Sequence, residues 1–233
     1  VSTPLNWADA QRYCRDKHID LASIHSREQL DRLLSNAEKT FYAWIGLYVE
    51  WQWSLTGSDF YSEGEANFRN WRSGQPNNHQ SKNEDCAAMD SQGTWNDMPC
   101  SYTKYFICYQ DETVDALTYI LIREQRSWQQ AQRFCRERHK DLVSVRSQRE
   151  NEKIKNTAKG NEVWIGLYRG NWKWSDQENL SFQNWARGEP NNYGGTEDCA
   201  AVFSDDSNRG KWNDNFCNVP YHFFCYDGEL NHF

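Results

Sequence analysis

Trp44-Ile45-Gly46-Leu47-Tyr48 recurs as Trp164-Ile165-Gly166-Leu167-Tyr168, and this repetition governs how the rest of the chain is read. Outward from it, Trp51-Gln52-Trp53-Ser54 returns as Trp172-Lys173-Trp174-Ser175, and Glu84-Asp85-Cys86-Ala87-Ala88 returns as Glu197-Asp198-Cys199-Ala200-Ala201. All 12 tryptophans pair between the halves: 7 with 128, 44 with 164, 51 with 172, 53 with 174, 71 with 185 and 95 with 212. The 8 cysteines do the same: 14 with 135, 86 with 199, 100 with 217 and 108 with 225. An offset of 113 to 121 residues is domain-sized, so the pattern is a tandem duplication rather than a solenoid of short units. The spacing differs between Trp53–Trp71 and Trp174–Trp185, and between Cys86–Trp95 and Cys199–Trp212, which marks loops that tolerate insertions. Two domains, 1–111 and 115–227, fit a chain of 233 residues. The acidic join Asp111-Glu112-Thr113-Val114-Asp115 reads as a brief connector with little slack.

Each repeat opens with two helices. Ser127-Trp128-Gln129-Gln130 has the form of a capping box, and Trp128, Ala131, Gln132 and Cys135 behind it share a helical face with one polar exception. Asn6 followed by Trp7, Ala10 and Cys14 is the same helix in the first copy. Ser147-Gln148-Arg149-Glu150 and Ser26-Arg27-Glu28-Gln29 cap the second helices. Beyond Tyr42 and Val163 the chain turns to short aromatic and β-branched runs broken by Gly, Asn and Pro, which read as strands and loops. The expected class is α+β.

A net charge of -7 argues against a nucleic-acid partner, which would meet a basic face. The longest aliphatic run, Ile120-Leu121-Ile122, is far short of the roughly 20 residues of a membrane helix, so no membrane insertion by this segment is expected. No signal peptide is visible, so any such segment is expected to have been removed or left out. Four cysteines per repeat, without a Cys-x-x-Cys pair or zinc-type histidine spacing, point to two disulfides per repeat in one of three connectivities. Disulfides imply an extracellular setting, either a secreted protein or the ectodomain of a receptor, and the sequon Asn179-Leu180-Ser181 fits it.

The second repeat carries an oxygen-rich loop, Arg187-Gly188-Glu189-Pro190-Asn191-Asn192-Tyr193-Gly194-Gly195-Thr196-Glu197-Asp198, and then Trp212-Asn213-Asp214. Carboxylates and amides in this mixture suit calcium, which takes about 6–8 oxygen ligands; zinc would draw His or Cys. The adjacent acids Glu197-Asp198 invite a glycoside-hydrolase reading, but neighbours on a strand point apart, and a bound cation would keep Glu197 ionised. No enzymatic activity is expected.

Taken together, the Trp-Ile-Gly-Leu run, the cysteine plan, Glu-Pro-Asn and Trp-Asn-Asp resemble the C-type lectin-like domain, twice over and across nearly the whole chain. The second copy is most similar to carbohydrate-recognition domains of the macrophage mannose receptor type. This resemblance implies two tandem domains, each of two helices, short antiparallel sheets and a long calcium-binding loop. It implies the bridges Cys14–Cys108, Cys86–Cys100, Cys135–Cys225 and Cys199–Cys217. The first repeat, starting at Val1, is expected to lack the N-terminal strand that Leu117 to Ile122 supplies in the second. The resemblance further implies a cis bond before Pro190 and a calcium shell of Glu189, Asn191, Glu197, Asn213 and Asp214. Vicinal hydroxyls would donate to Glu189 and Glu197 and accept from Asn191 and Asn213, with Tyr193 packing on the sugar ring.

Glu-Pro-Asn in this family goes with equatorial 3- and 4-hydroxyls, as in mannose, N-acetylglucosamine and fucose. Microbial or host glycoproteins are the partners this implies, and pattern recognition in innate immunity is the corresponding role. The first repeat departs, with Gln75-Pro76-Asn77, then Glu84, then Asn96-Asp97. An amide replaces one carboxylate there, so weaker calcium binding is expected at Gln75, Asn77, Glu84, Asn96 and Asp97. One ion per domain at most is expected, because Tyr168-Arg169-Gly170 and Asn192 lack the acids of an auxiliary site. Acid should release sugar, because the ligands must be ionised. Calcium-independent protein binding by a lectin-like fold is the rival reading, chiefly for the first repeat. The tryptophans are expected in the core, since they recur in both repeats at scaffold positions.

Overall fold

The structure, a computed structural model, describes residues 1–35, 37, 42–113, 116–206 and 208–228. In chain order the first repeat contributes α1 (Trp7–Lys17), β1 (Asp20–Leu21), α2 (Arg27–Ser35), β2 (Tyr42–Tyr48), β3 (Trp51–Trp53), β4 (Cys86–Met89), β5 (Trp95–Met98) and β6 (Lys104–Thr113). The second contributes β7 (Ala116–Arg126), α3 (Trp128–Arg138), β8 (Asp141–Leu142), α4 (Gln148–Ala158), β9 (Val163–Arg169), β10 (Lys173–Trp174), β11 (Cys199–Phe203), β12 (Trp212–Asn215), β13 (His222–Phe223) and β14 (Cys225–Tyr226).

The helices begin where their caps lie. The Asn6 side chain accepts from the Asp9 N–H, Ser127 and Gln130 form a reciprocal box, and Ser147 accepts from the Glu150 N–H. The Gln29 N–H donates to Ser26 Oγ at 3.1 Å. Each bond satisfies a donor that the first turn would otherwise leave without a partner.

The repeats and the compact units do not coincide. One unit is Trp51–Gly170; the other joins Val1–Glu50 to Asn171–Phe233. Each unit therefore takes its helices from one repeat and its loop-rich half from the other. In the continuous unit the sheet order is β5-β4-β9-β6-β7, with β3 also pairing β9 and β8 pairing β6. In the discontinuous unit the order is β10-β2-β11-β12, β13 pairs β2, and β1 pairs β14 separately. The two Trp-Ile-Gly-Leu strands thus pair with the opposite repeat's Cys-Ala-Ala strand, Trp44 opposite Ala201 and Trp164 opposite Ala88.

This exchange corrects two expected bridges. Cys14 joins Cys225 rather than Cys108, and Cys135 joins Cys108 rather than Cys225; Cys86–Cys100 and Cys199–Cys217 form as expected. The resemblance describes one domain at a time, and either partner cysteine satisfies that plan. The contacts made by side chains that differ between repeats agree with the exchanged choice. Tyr42 lies against Phe203 and Tyr221, with ring centroids 4.6 and 5.2 Å apart. At the matching positions of the other unit, Lys104 forms an ion pair with Glu162. Association within one repeat would set Tyr42 against Lys104 and Glu162 against Tyr221, losing an aromatic contact and a charge pair together. Arg146 of the second repeat likewise lies over the Phe60 ring at 4.4 Å and 3.9 Å from Glu65, both in a segment longer in the first repeat.

The strands on either side of the expected connector pair with each other. β6 and β7 pair antiparallel up to Thr113 and Ala116; Val114 and Asp115 lie outside the described residues. A strand of β7's length recurs nowhere else among the described residues; in the discontinuous unit Leu5 makes an isolated bridge to Tyr221.

Each core draws on both repeats. Trp53, Met89, Trp95 and Ile107 pack with Val143, Ile154, Val163 and Ile165 in one unit. Leu30, Leu34, Ile45 and Leu47 pack with Trp174, Val202 and Trp212 in the other. Each such aliphatic side chain contributes about 1.5–3 kcal/mol by leaving water. The motif glycines allow the close approach beneath these layers. A Cβ on Gly166 would lie 2.9 Å from the Leu142 carbonyl oxygen, and one on Gly46 would lie 3.0 Å from that of Leu21.

Candidate functional site

In the discontinuous unit, β12 carries Asn213 and Asp214 beside the loop that follows Arg187. Asp214 is fully buried and ties the loop to the strand. Its Oδ1 accepts the Asn191 N–H at 3.0 Å and its Oδ2 accepts the Asn192 N–H at 2.6 Å. Asn192 adopts the left-handed backbone at φ 46°, which Asn tolerates better than most side chains. Its Oδ1 accepts the Glu197 N–H at 3.1 Å, while Glu197 Oε2 accepts the Tyr193 N–H at 2.8 Å. The loop is thereby folded back so that Glu197 and Asp214 anchor opposite ends of one short turn. The Glu189–Pro190 peptide is cis, as the resemblance implied.

Glu189 reaches Asp214. Burial, then the neighbouring Asp214 carboxylate, pushes the Glu189 carboxyl up to about 7, opposed by hydrogen bonding to Asn191. Its Oε2 is buried and has no hydrogen-bond partner. A buried carboxylate oxygen without a donor costs free energy, and a hard cation removes that cost. Among the described residues, no group of three or more His, Cys, Asp and Glu side chains is arranged to hold a metal ion. The loop and β12 offer carboxylates together with amide oxygens, a mixture whose chemistry suits calcium rather than zinc. Tyr193 is 70% exposed, at the outer edge of the turn.

The continuous unit repeats the construction. Asp97, 1% exposed, accepts the Asn77 and Asn78 N–H groups on Oδ2 at 3.0 and 2.6 Å. Asn78, at φ 42°, accepts the Glu84 N–H at 3.1 Å, and Glu84 Oε2 accepts the His79 N–H at 2.6 Å. Gln75–Pro76 is cis too. Gln75 Oε1, Asn77 Oδ1 and Asp97 Oδ1 are buried without hydrogen-bond partners. Burial raises the pKa values of Glu84 and Asp97. One feature has no counterpart in the other unit: the Arg72 guanidinium donates to Asn96 Oδ1 at 3.4 Å, while Asn96 Nδ2 lies 3.0 Å from Met98 Sδ. A cation already beside Asn96 weakens that oxygen as a ligand for another. Ala186 and Asn215 occupy the equivalent positions in the second repeat.

Four further side chains lie among the candidate ligands without having been singled out as contributors in the sequence. Asn78 and Asn192 clasp the glutamates; a Pro-Asn-Asn run ahead of Glu was the available signal. Arg72 and Tyr42 carried none, because neither belongs to a repeated motif. Tyr42, from the first repeat, accepts a hydrogen bond from Asn213 Nδ2 at 3.3 Å. Its hydroxyl is pushed up to about 12, first by burial, then by Tyr221, Glu189 and Glu197.

The family described as "Lectin C-type domain" matches residues 3–110 and again 124–227. The chain is 30% identical over 260 residues to human C-type mannose receptor 2, covering 95% of this chain and 17% of that protein. It is 28% identical over 257 residues to human lymphocyte antigen 75, covering 97% of this chain and 15% of the relative. It thus spans less than a fifth of either receptor. Over 117 residues it is 37% identical to C-type lectin lectoxin-Lio3 of Erythrolamprus poecilogyrus, covering 46% of this chain and 72% of the relative.

Proposed function

Since the chain belongs to the C-type lectin domain family, a carbohydrate-binding rather than a catalytic one, we propose that it is a calcium-dependent lectin with mannose-type specificity in the site of the second repeat. The observation that carries this reading is the buried Glu189 carboxylate oxygen, without a hydrogen-bond donor and beside Asp214, within an intact Glu-Pro-Asn loop. Glu189, Asn191, Glu197, Asn213 and Asp214 would hold the ion. Calcium, when bound, supplies coordination for two vicinal sugar hydroxyls. The carboxylates accept from those hydroxyls and the amides donate to them, so the order of acids and amides selects equatorial 3- and 4-hydroxyls. Exposed Tyr193 offers its ring to the sugar. The partners are mannose-type glycans on glycoproteins, microbial or host. Four disulfides support an extracellular location.

The first-repeat site, Gln75, Asn77, Glu84, Asn96 and Asp97, is proposed as the weaker one. It has an amide where the other has Glu189, and Arg72 beside Asn96. The repeats 1–111 and 115–227 each carry one complete set of candidate ligands, whichever helices pack behind it.

Retention on an immobilised-mannose matrix tests the proposal. The intact chain is expected to bind in calcium, to elute with a chelator, and to be displaced by mannose but not by galactose. Retention untouched by chelator would overturn it.

A further inference from the structure

Beside the second-repeat site stand three aromatic side chains from two repeats: Tyr42 on β2, Phe203 on β11 and Tyr221 just ahead of β13. Tyr42 packs between the other two rings, 4.6 Å from Phe203 and 5.2 Å from Tyr221 between centroids. Phe203 is buried, whereas Tyr42 and Tyr221 are half-buried. Both hydroxyls face site strand β12: Tyr42 Oη accepts from Asn213 Nδ2 at 3.3 Å, and Tyr221 Oη donates to Asn215 Oδ1 at 3.3 Å. Glu189 and Glu197 are near enough to raise the Tyr42 hydroxyl pKa, and Glu197 that of Tyr221. The matching positions in the other unit are all charged: Glu162, Asp90 and Lys104. The strand registers of the two units match from Ala201 opposite Trp44 and Val202 opposite Ala43 to Ala88 opposite Trp164 and Met89 opposite Val163, and these three positions next to them are aromatic in the unit with the Glu-Pro-Asn loop and charged in the other.

We infer that Tyr42 and Tyr221 form a second sugar subsite, which takes the pyranose glycosidically linked to the one held at the ion. A pyranose offers an apolar C–H face and a rim of hydroxyls. Half-buried rings match the first, and phenol hydroxyls, each both donor and acceptor, match the second. This subsite rests on the lectin reading above and adds to it a preference for oligosaccharides over single sugars. It is also composite: one of its two tyrosines comes from the first repeat.

The test is the ratio of affinities of the intact chain, in saturating calcium, for a mannose disaccharide and for methyl α-mannoside. The wild type is expected to prefer the disaccharide by about fivefold, the worth of one aromatic contact. Tyr42→Glu with Tyr221→Lys installs the pair that occupies these positions in the other unit, and should bring the ratio close to one. A general loss of site geometry would weaken both sugars alike and leave the ratio standing. Tyr42→Phe keeps the ring and should keep most of the preference. A ratio near one in the wild type, or one unchanged in the double variant, overturns the subsite alone. A wild type that binds neither sugar overturns the subsite together with the lectin reading.

Discussion

At the scale of single residues, Asp214 and Asp97 do the same work in two places: each turns a buried carboxylate toward two backbone N–H groups and so fixes the loop that carries the other candidate ligands. Asp214→Asn presents an amide where an acceptor is needed. It is expected to cost about 1–3 kcal/mol locally and to abolish mannose retention, with Asp97→Asn leaving most retention in place. Column binding of the two variants checks this; equal losses would contradict the assignment of the stronger site. Gly166→Ala is a structural counterpart. Its Cβ would press on backbone oxygens at 2.9 and 3.0 Å, so thermal unfolding should show a loss of about 1–3 kcal/mol. Gly57→Ala, which meets nothing within 4 Å, should stay within about 0.5 kcal/mol of the wild type. The carboxylates and amides stood out in the sequence as an oxygen-rich set, and the family resemblance implied which of them would be ligands. Arg72 and Tyr42 did not, because their significance lies in what folding places next to them.

Elements were the most legible level. Asn6, Ser26, Ser127 and Ser147 announce helix starts by local chemistry alone, and all four side chains accept the first-turn N–H expected of them. Ser127→Ala is expected to cost about 1 kcal/mol, measured by denaturant unfolding. The strands were legible as runs but not in their pairing. β2 and β9 share the same Trp-Ile-Gly-Leu text, as β4 and β11 share Cys-Ala-Ala, so each strand has two chemically equal partners to choose from. The discriminating information lies in unrepeated positions such as Tyr42 and Phe203 against Glu162 and Asp90, which a search for repeats passes over.

For the whole molecule, duplication creates an ambiguity that a single domain never meets, and the bridges Cys14–Cys225 and Cys108–Cys135 resolve it by exchange. Peptide mapping under non-reducing conditions should recover the Cys14 peptide joined to that of Cys225; a Cys14–Cys108 peptide would contradict the exchange. Each candidate ligand set nevertheless stays within one loop-rich half, whereas the proposed second subsite takes Tyr42 from the other repeat. The most direct measurement is calorimetric titration of the intact chain with methyl α-mannoside, once in saturating calcium and once in excess chelator. Saturable binding with calcium and none with chelator is the predicted result; binding of equal strength in both, or in neither, would contradict it.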